Sequence, residues 1–304
     1  MNTQDKCPLC GEVSIILIES LPANNINILY RNTFKFKRAI KSDYIKYYQC
    51  RYCDIKFFDP MEPGDEGLYE SLQNYSWYYM ADKWEYHCAK KYLNSTDRVL
   101  EIGAGKAAFA LIIGSQFYTG LEYNDKAIKQ ANKDGVRLVK QSIQAHAAEG
   151  NSYDVIVSFQ VLEHVSDPAE FIRSSLKCLK KGGRLIISVP AHENYLGEAI
   201  NNILDLPPHH LTHWTAKTLE KMESLFGLKL LAIEYEPVAF YHKKHMRKII
   251  IESKIRKFFG MKHQLVDISF LAKLISKTAS IVSLFLPLST ECVNGHTVVS
   301  VFKK

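Results

Sequence analysis

The sequence predicts an α/β protein: a mostly parallel sheet with helices packed on both faces. Three observations predict it. From residue 98 to 235, short apolar runs alternate with stretches of helical period. The glycine-bearing turn "GAGKAA", residues 103–108, directly follows the first of these runs, at the kind of strand end where such sheets hold ligands. The helical stretches also carry their own punctuation, with Pro168 at one start and Gly135, Gly183 and Gly227 as stops.

Before this region stand two CxxC pairs, Cys7 with Cys10 and Cys50 with Cys53. Tetrahedral zinc takes four ligands, and four thiolates close the coordination shell, so the pairs predict a structural zinc ribbon over residues 1–60. The long gap between the pairs calls for extra strands, placed at 13–19 and 32–40. Cys88, Cys178 and Cys292 stand alone, and an odd cysteine count speaks against a disulfide framework.

Residues 61–97 read as a helical connector. Its stretch "NYSWYYMADKWEYHCAKKYL" is dense in aromatic rings, most of them expected to pack, with Tyr78 placed at a ligand pocket. The sheet follows in order. "RVLEIG" is a strand and "AAFALIIGS" opens a helix. "YTGLEY" is a strand, "NDKAIKQANKDG" a helix, and "VRLVK" and "YDVIVSF" are strands. "DPAEFIRSSLKCLKKGG" reads as a helix with lysines in its last turn, and "RLIISVP" as a strand. "TAKTLEKMESLFG" is a capped helix, "LKLLAIEYEP" a sixth strand and "GHTVVSVFKK" a seventh. The main domain is therefore 98–238 with 293–304. Residues 239–292 form a helical insertion that is basic, then apolar.

That insertion holds the charge of the chain. The net charge is +7, and between Ala239 and His263 eight lysines and arginines face Glu252 alone. The basic stretch reads as a solvated face of a covering insertion, or as a surface meeting an acidic acceptor or a membrane through 243–288. "MNTQDKCPLCGEV" has no apolar leader. The longest uncharged apolar run, residues 278–290, is too short to cross a bilayer. The expectation is a soluble cytoplasmic protein.

Glu101 lies two residues before Gly103. A carboxylate there repels a pyrophosphate and suits a ligand carrying ammonium and sulfonium charge, while Gly103 and Gly105 admit its close approach. Glu122, at the end of the second strand, can accept hydrogen bonds from ribose hydroxyls. Taken in order, "VLEIGAG", "LEYND" and "SFQVLEHV" through "KKGGRLIISVP" resemble the motifs of class I S-adenosylmethionine-dependent methyltransferases. The resemblance covers about half the chain. It implies a Rossmann-like seven-stranded sheet and S-adenosylmethionine as methyl donor. Carried over by position, it places Glu101, Gly103 and Gly105 at the methionine end and Glu122 at the ribose. Asn124, Ser142 and Ile143 then lie near the adenine, and Gln160 and Val161 near the reacting methyl. The family has glycine where Ala107 stands, and that methyl is expected to press on the ligand.

Histidines are the candidate proton acceptors. "LPPHHLTHW", residues 206–214, resembles a segment of zinc-ribbon sugar C-methyltransferases and of methyltransferases from surface-glycan (polysaccharide) pathways. The resemblance implies His210 as base. His209 stands where the sugar enzymes carry glutamate, which favours O-methylation. His164, in "LEHV", either joins the chemistry or fixes its loop. A metal held by His209, His210 and His213 is disfavoured because no carboxylate lies within that stretch. The reading is methyl transfer to a small-molecule or glycan hydroxyl, lipid-linked in one variant. Its rivals are an RNA methyltransferase gripping phosphates with ribbon and insertion, a non-catalytic cofactor-binding scaffold, and, weakest, a dehydrogenase. Nucleic acid is disfavoured because base-stacking partners are few and no NPPY motif occurs.

Overall fold

The structure is a computed structural model and describes residues 6–36, 39–73, 75, 80–114, 116–285 and 294–304. The chain opens with an antiparallel meander of β1 (Ile15–Pro22), β2 (Tyr44–Cys50) and β3 (Lys56–Asp59). Among the described residues of 32–40, the expected strand is not there. Helix α1 (Ala23–Phe34) runs instead and stops at Lys35 in the left-handed region. Ile26, Tyr30 and Phe34 recur four apart and are all buried, a helical period that prevails over the β-favouring Thr and Phe around it. Next come α2 (Glu66–Gln73) and α3 (Trp84–Lys90). Among the described residues the aromatic stretch is helical from Trp84 onward; Tyr78, expected at the pocket, lies outside the described residues.

The main sheet is built from β4 (Val99–Ile102), β5 (Tyr118–Leu121), β6 (Leu138–Val139), β7 (Tyr153–Phe159) and β8 (Leu179–Pro190). After the two-residue strand β9 (Thr212–His213), β10 (Lys229–Pro237) and β11 (Asn294–Lys303) complete it. The order is β10-β11-β8-β7-β4-β5-β6. Strands β4 to β8 pair in parallel, and β11 runs antiparallel between β8 and β10. This is the Rossmann-like seven-stranded sheet that the sequence predicts. β4 is buried along its whole length, as a central strand covered on both faces must be.

Helices α4 (Ala108–Ile113), α5 (Asp125–Lys133), α6 (Ile143–Ala148), α7 (Pro168–Cys178) and α8 (Ala216–Phe226) flank it. Asn124, Ser142, Asp167 and Thr215 cap the last four by accepting a backbone N–H three residues on. α7 is shorter than its sequence suggests. Lys180 to Gly183 belong to β8, because Gly182 and Gly183 exchange backbone bonds with Lys304 and Lys180 Nζ reaches Asp154 at 2.7 Å. The chain leaves β4 for β5 and β6 on one side, then crosses to β7 on the other. The loops after β4, β5 and β7 therefore meet at one switch point.

Two features place the site. β9 pairs with β3, Lys56 opposite His213 and Phe57 opposite Thr212, which ties the histidine segment to the N-terminal sheet. Between β10 and β11 lie α9 (Lys243–Phe258) and α10 (Phe270–Phe285), packed on each other. Their basic character is partly spent inside: Arg256 is buried against Asp267 at 3.0 Å and Glu252 at 3.7 Å. Among the described residues, no helix is long and apolar enough to cross a membrane.

Candidate active site

A cavity of about 1680 Å³ opens at the switch point. At one end, Gly103 and Gly105 turn the chain from β4 toward α4. Gly103 has φ +77°, and a Cβ there would sit 2.4 Å from Val161 Cγ2, so glycine is required by backbone and space alike. Ala107 takes φ 58° and ψ 32° as the residue before α4. Left-handed backbone costs a residue with a Cβ about 1 kcal/mol. Its methyl is buried in the core beside Phe109 and is not on the cavity wall. The departure from glycine therefore strains the turn and does not press on a ligand.

Glu122 faces the same end. Its Oε2 accepts the Gly105 N–H at 2.7 Å, and its Oε1 accepts the N–H groups of Tyr123 and Asn124 at 2.9 and 2.8 Å. Oε2 keeps a lone pair for one more donor. Asn124 lines the cavity as it caps α5, and Gln160 and Val161 line it after β7. Gln160 sits at φ 54°, a costly conformation for a side chain of its size and one that often marks a site.

Three residues expected at the ligand lie off the cavity wall. Ser142 caps α6, bonding Ala145 N at 3.1 Å, and Ile143 is buried in the core; neither is on the cavity wall. Glu101 also stays off the wall. It is buried beneath the turn, where the Tyr118 hydroxyl donates to its Oε2. Acids on the wall near the glycine turn come from Glu122 and Asp125 instead.

Burial pushes Glu101 up to about 8 from an ordinary 4.5. In the unfolded chain it ionises near 4.5, so the fold retains a proton that the unfolded chain loses. Stability is therefore lost as pH rises from 4.5 toward 8. Glu101→Gln keeps an acceptor for Tyr118 and removes this dependence. Denaturant melts are expected to show the variant more stable than the parent by about 4 kcal/mol at pH 8 and equal to it at pH 4.

The opposite end of the cavity is built of imidazoles and carboxylates. His164, His209 and His210 line it together, with ring centroids 4.5 to 4.9 Å apart. His164 Nδ1 donates to His209 O at 2.5 Å, and His209 Nδ1 donates to Leu204 O at 2.8 Å. Burial first, and neighbouring imidazoles second, hold His164 well below the usual imidazole range and His209 down to about 3. Both are neutral at pH 7. His213, the third histidine of the segment, faces away: Tyr47 Oη lies 2.6 Å from its Nδ1, and its Nε2 donates to Asp205 O at 2.8 Å.

Asp205 is the residue that sequence reading missed. It stands one position before "LPPHH", just outside the stretch searched for a carboxylate. Its Oδ1 lies 3.0 Å from His210 Nδ1 and 3.7 Å from His192 Nε2. The His210 contact is close but off the in-plane direction of a hydrogen bond. Burial alone would raise Asp205; its contacts with His192 and His210 outweigh that and hold it well below its ordinary value. Glu163 is the second missed acid, in "LEHV" beside His164. It is 1% exposed, lines the cavity and has neither oxygen hydrogen-bonded, and burial pushes it up to about 8. Glu85 and Glu236 border the same space.

The four paired cysteines converge away from this cavity. Cys7 and Cys53 sulfurs lie 3.5 Å apart, as do those of Cys10 and Cys50, and all four fall within 4.8 Å of one another. Tetrahedral bonds of 2.3 Å require sulfurs about 3.8 Å apart, so the donor set fits zinc.

The family described as "Methyltransferase domain" matches residues 69–233. Among curated proteins, the chain is 34% identical over 101 residues to a ubiquinone biosynthesis O-methyltransferase of Vibrio cholerae, covering 30% of this chain and 41% of that protein. It is 32% identical over 139 residues to the protein of that name in Nitrosospira multiformis, covering 41% and 57%. The chain thus spans less than two thirds of the length of these relatives. Among solved structures, coclaurine N-methyltransferase bound to N-methylheliamine and SAH aligns at TM-score 0.47 and 14% identity, over 71% of this chain and 68% of that one. A SAM-dependent methyltransferase of Archaeoglobus fulgidus aligns at TM-score 0.45 and 18% identity, over 72% and 94%.

Proposed function

The chain belongs to the methyltransferase-domain family, the class I S-adenosylmethionine-dependent methyltransferases, and on that premise we propose that it methylates a hydroxyl of a neutral small-molecule acceptor, a sugar or glycan hydroxyl, with His210 taking the proton. The single observation that carries the reading is the His210–Asp205 pair, 3.0 Å apart, on the wall of a cavity whose other end carries Gly103, Gly105 and Glu122.

When bound, S-adenosylmethionine supplies a methyl carbon on a sulfonium sulfur: the acceptor oxygen bonds that carbon as the carbon–sulfur bond breaks and its electron pair stays on sulfur. The residues do the rest. Gly103 and Gly105 let backbone approach the donor, and Glu122 Oε2 receives a ribose hydroxyl. Gln160 and Val161 border the reacting end. His210 accepts the hydroxyl proton on the imidazole nitrogen away from Asp205, whose carboxylate lies beside the charge that forms. Alignment of oxygen, carbon and sulfur carries most of the acceleration, and proton removal adds to it.

Asp205, held ionised at the acceptor end, disfavours a phosphorylated acceptor, which sets the reading against RNA. The cysteine centre, on this reading, holds structural zinc.

Calorimetric titration with S-adenosylmethionine and NAD side by side tests the donor. Uptake of the first alone is expected. Glu122→Gln places an NH2 group before backbone N–H donors and removes the charge. It is expected to weaken uptake at least about tenfold, the scale of one hydrogen bond to a charged group. Unchanged affinity in the variant removes Glu122 from the site. Release of S-adenosylhomocysteine with simple sugars and their glycosides then tests the acceptor class.

A further inference from the structure

The acceptor end holds three imidazoles whose arrangement asks for more than one base. His164, His209 and His210 each offer one nitrogen, and the three lie within 4.8 Å of one another. In two of the rings the other nitrogen is already hydrogen-bonded, and in the third it faces a carboxylate. His164 Nδ1 donates to His209 O, His209 Nδ1 donates to Leu204 O, and His210 Nδ1 faces Asp205 Oδ1 at 3.0 Å. That pattern fixes the His164 and His209 rings and leaves His209 Nε2 as a free lone pair. Metal-bound histidines are held in the same way, by a carbonyl or carboxylate on the nitrogen that does not ligate. His209 Nε2 is buried and has no hydrogen-bond partner, an expensive state for a polar atom unless something binds it. Both oxygens of Glu163 are also buried without a hydrogen bond, and Oε1 lies 3.9 Å from His164 Nε2.

We propose that His164, His209 and His210 together hold a divalent cation of zinc-like chemistry at the acceptor end of the cavity. Imidazole suits zinc and its first-row neighbours. Three protein ligands leave a coordination position open to a substrate oxygen. Tetrahedral bonds of about 2.1 Å need nitrogens some 3.4 Å apart, so loading draws the rings inward. Glu163 is placed to neutralise the added charge.

What the cation does rests on the proposed function: it binds the acceptor hydroxyl, which then gives up its proton to solvent water before the oxygen attacks the methyl carbon. In the loaded protein His210 is a ligand and Asp205 holds its other nitrogen. Without the cation, His210 is itself the proton acceptor.

Cobalt tests the site, since thiolate-bound and imidazole-bound Co²⁺ differ in absorption. The full chain, stripped of weakly held metal, is titrated with Co²⁺. One equivalent is expected to bind with visible d–d bands and no thiolate charge-transfer band. His209→Asn retains a donor for Leu204 O and deletes the free ring nitrogen. It is expected to weaken this component at least 100-fold while leaving any thiolate-bound cobalt and S-adenosylmethionine uptake intact. His164→Asn should do the same. Cobalt that enters only as the thiolate form, or that binds both variants as it binds the parent, overturns the proposal. Turnover by a parent chain that takes no imidazole-bound cobalt would overturn the cation alone and leave His210 as base. Cobalt uptake without S-adenosylmethionine uptake supports the cation site and sinks the proposed function.

Discussion

His210→Ala is expected to lower kcat for methyl transfer by about 10³-fold, within the range that a positioned acid or base contributes, while calorimetric affinity for S-adenosylmethionine changes less than about twofold. The asymmetry follows from where the parts sit. The proposed donor contacts come from the loops after β4, β5 and β7, whereas His210 comes from the segment before β9. His210 also has little structural work to lose, since its side chain meets Asp205 off the direction of a hydrogen bond. Asp205→Asn is the companion test. It keeps the size of the side chain and the main-chain carbonyl that receives His213, but removes the carboxylate charge 3.0 Å from His210 Nδ1. A loss of about 10- to 100-fold in kcat with an altered pH profile is expected. Full activity in His210→Ala would remove both the base and the acceptor-end reading. Parallel loss of donor binding would point to a folding defect.

Sequence exposed the donor end better than the acceptor end. Gly103, Gly105 and Glu122 lie within turns whose position follows from strand period alone, so spacing was enough. Glu101 misled because a charge argument from the sequence cannot tell which side of a pleat a strand residue takes. Its carboxyl points under the turn to Tyr118, seventeen positions away. Ser142 and Ile143 carried a family position onto residues that here cap and anchor α6. Ala107 looked like a steric question and is a backbone one. The acceptor end needed tertiary structure. His164 and His209 are 45 residues apart in the chain, and Asp205 fell one residue outside the segment inspected. Helix α1 was legible in the spacing of Ile26, Tyr30 and Phe34; reading residues 32–40 without the preceding nine hid it.

Cys50→Ser is expected to reach the chemistry from a distance. Loss of a structural zinc removes folding energy of several kcal/mol, and the contacts show where that loss lands. Cys50 ends β2, and the turn after it carries Asp54, which accepts the Thr215 hydroxyl at 3.0 Å and meets Lys217 at 3.1 Å. β3 begins three residues beyond Cys53 and pairs with β9, while Phe58 N bonds Leu211 O at 3.0 Å. Tyr47, on β2, holds His213, which in turn reaches the main chain of Asp205. The thiol centre therefore braces the segment that carries His209 and His210, and it touches neither the glycine turn nor Glu122. A lower melting temperature is expected, with kcat reduced at least tenfold and S-adenosylmethionine affinity retained. The serine variant is a cleaner instrument than a chelator, which would also strip a cation from the imidazoles. Calorimetry for the donor and initial rates for transfer, measured well below the variant's melting temperature, decide the matter. If both fall together, or neither moves, the ribbon is not the brace of the acceptor end.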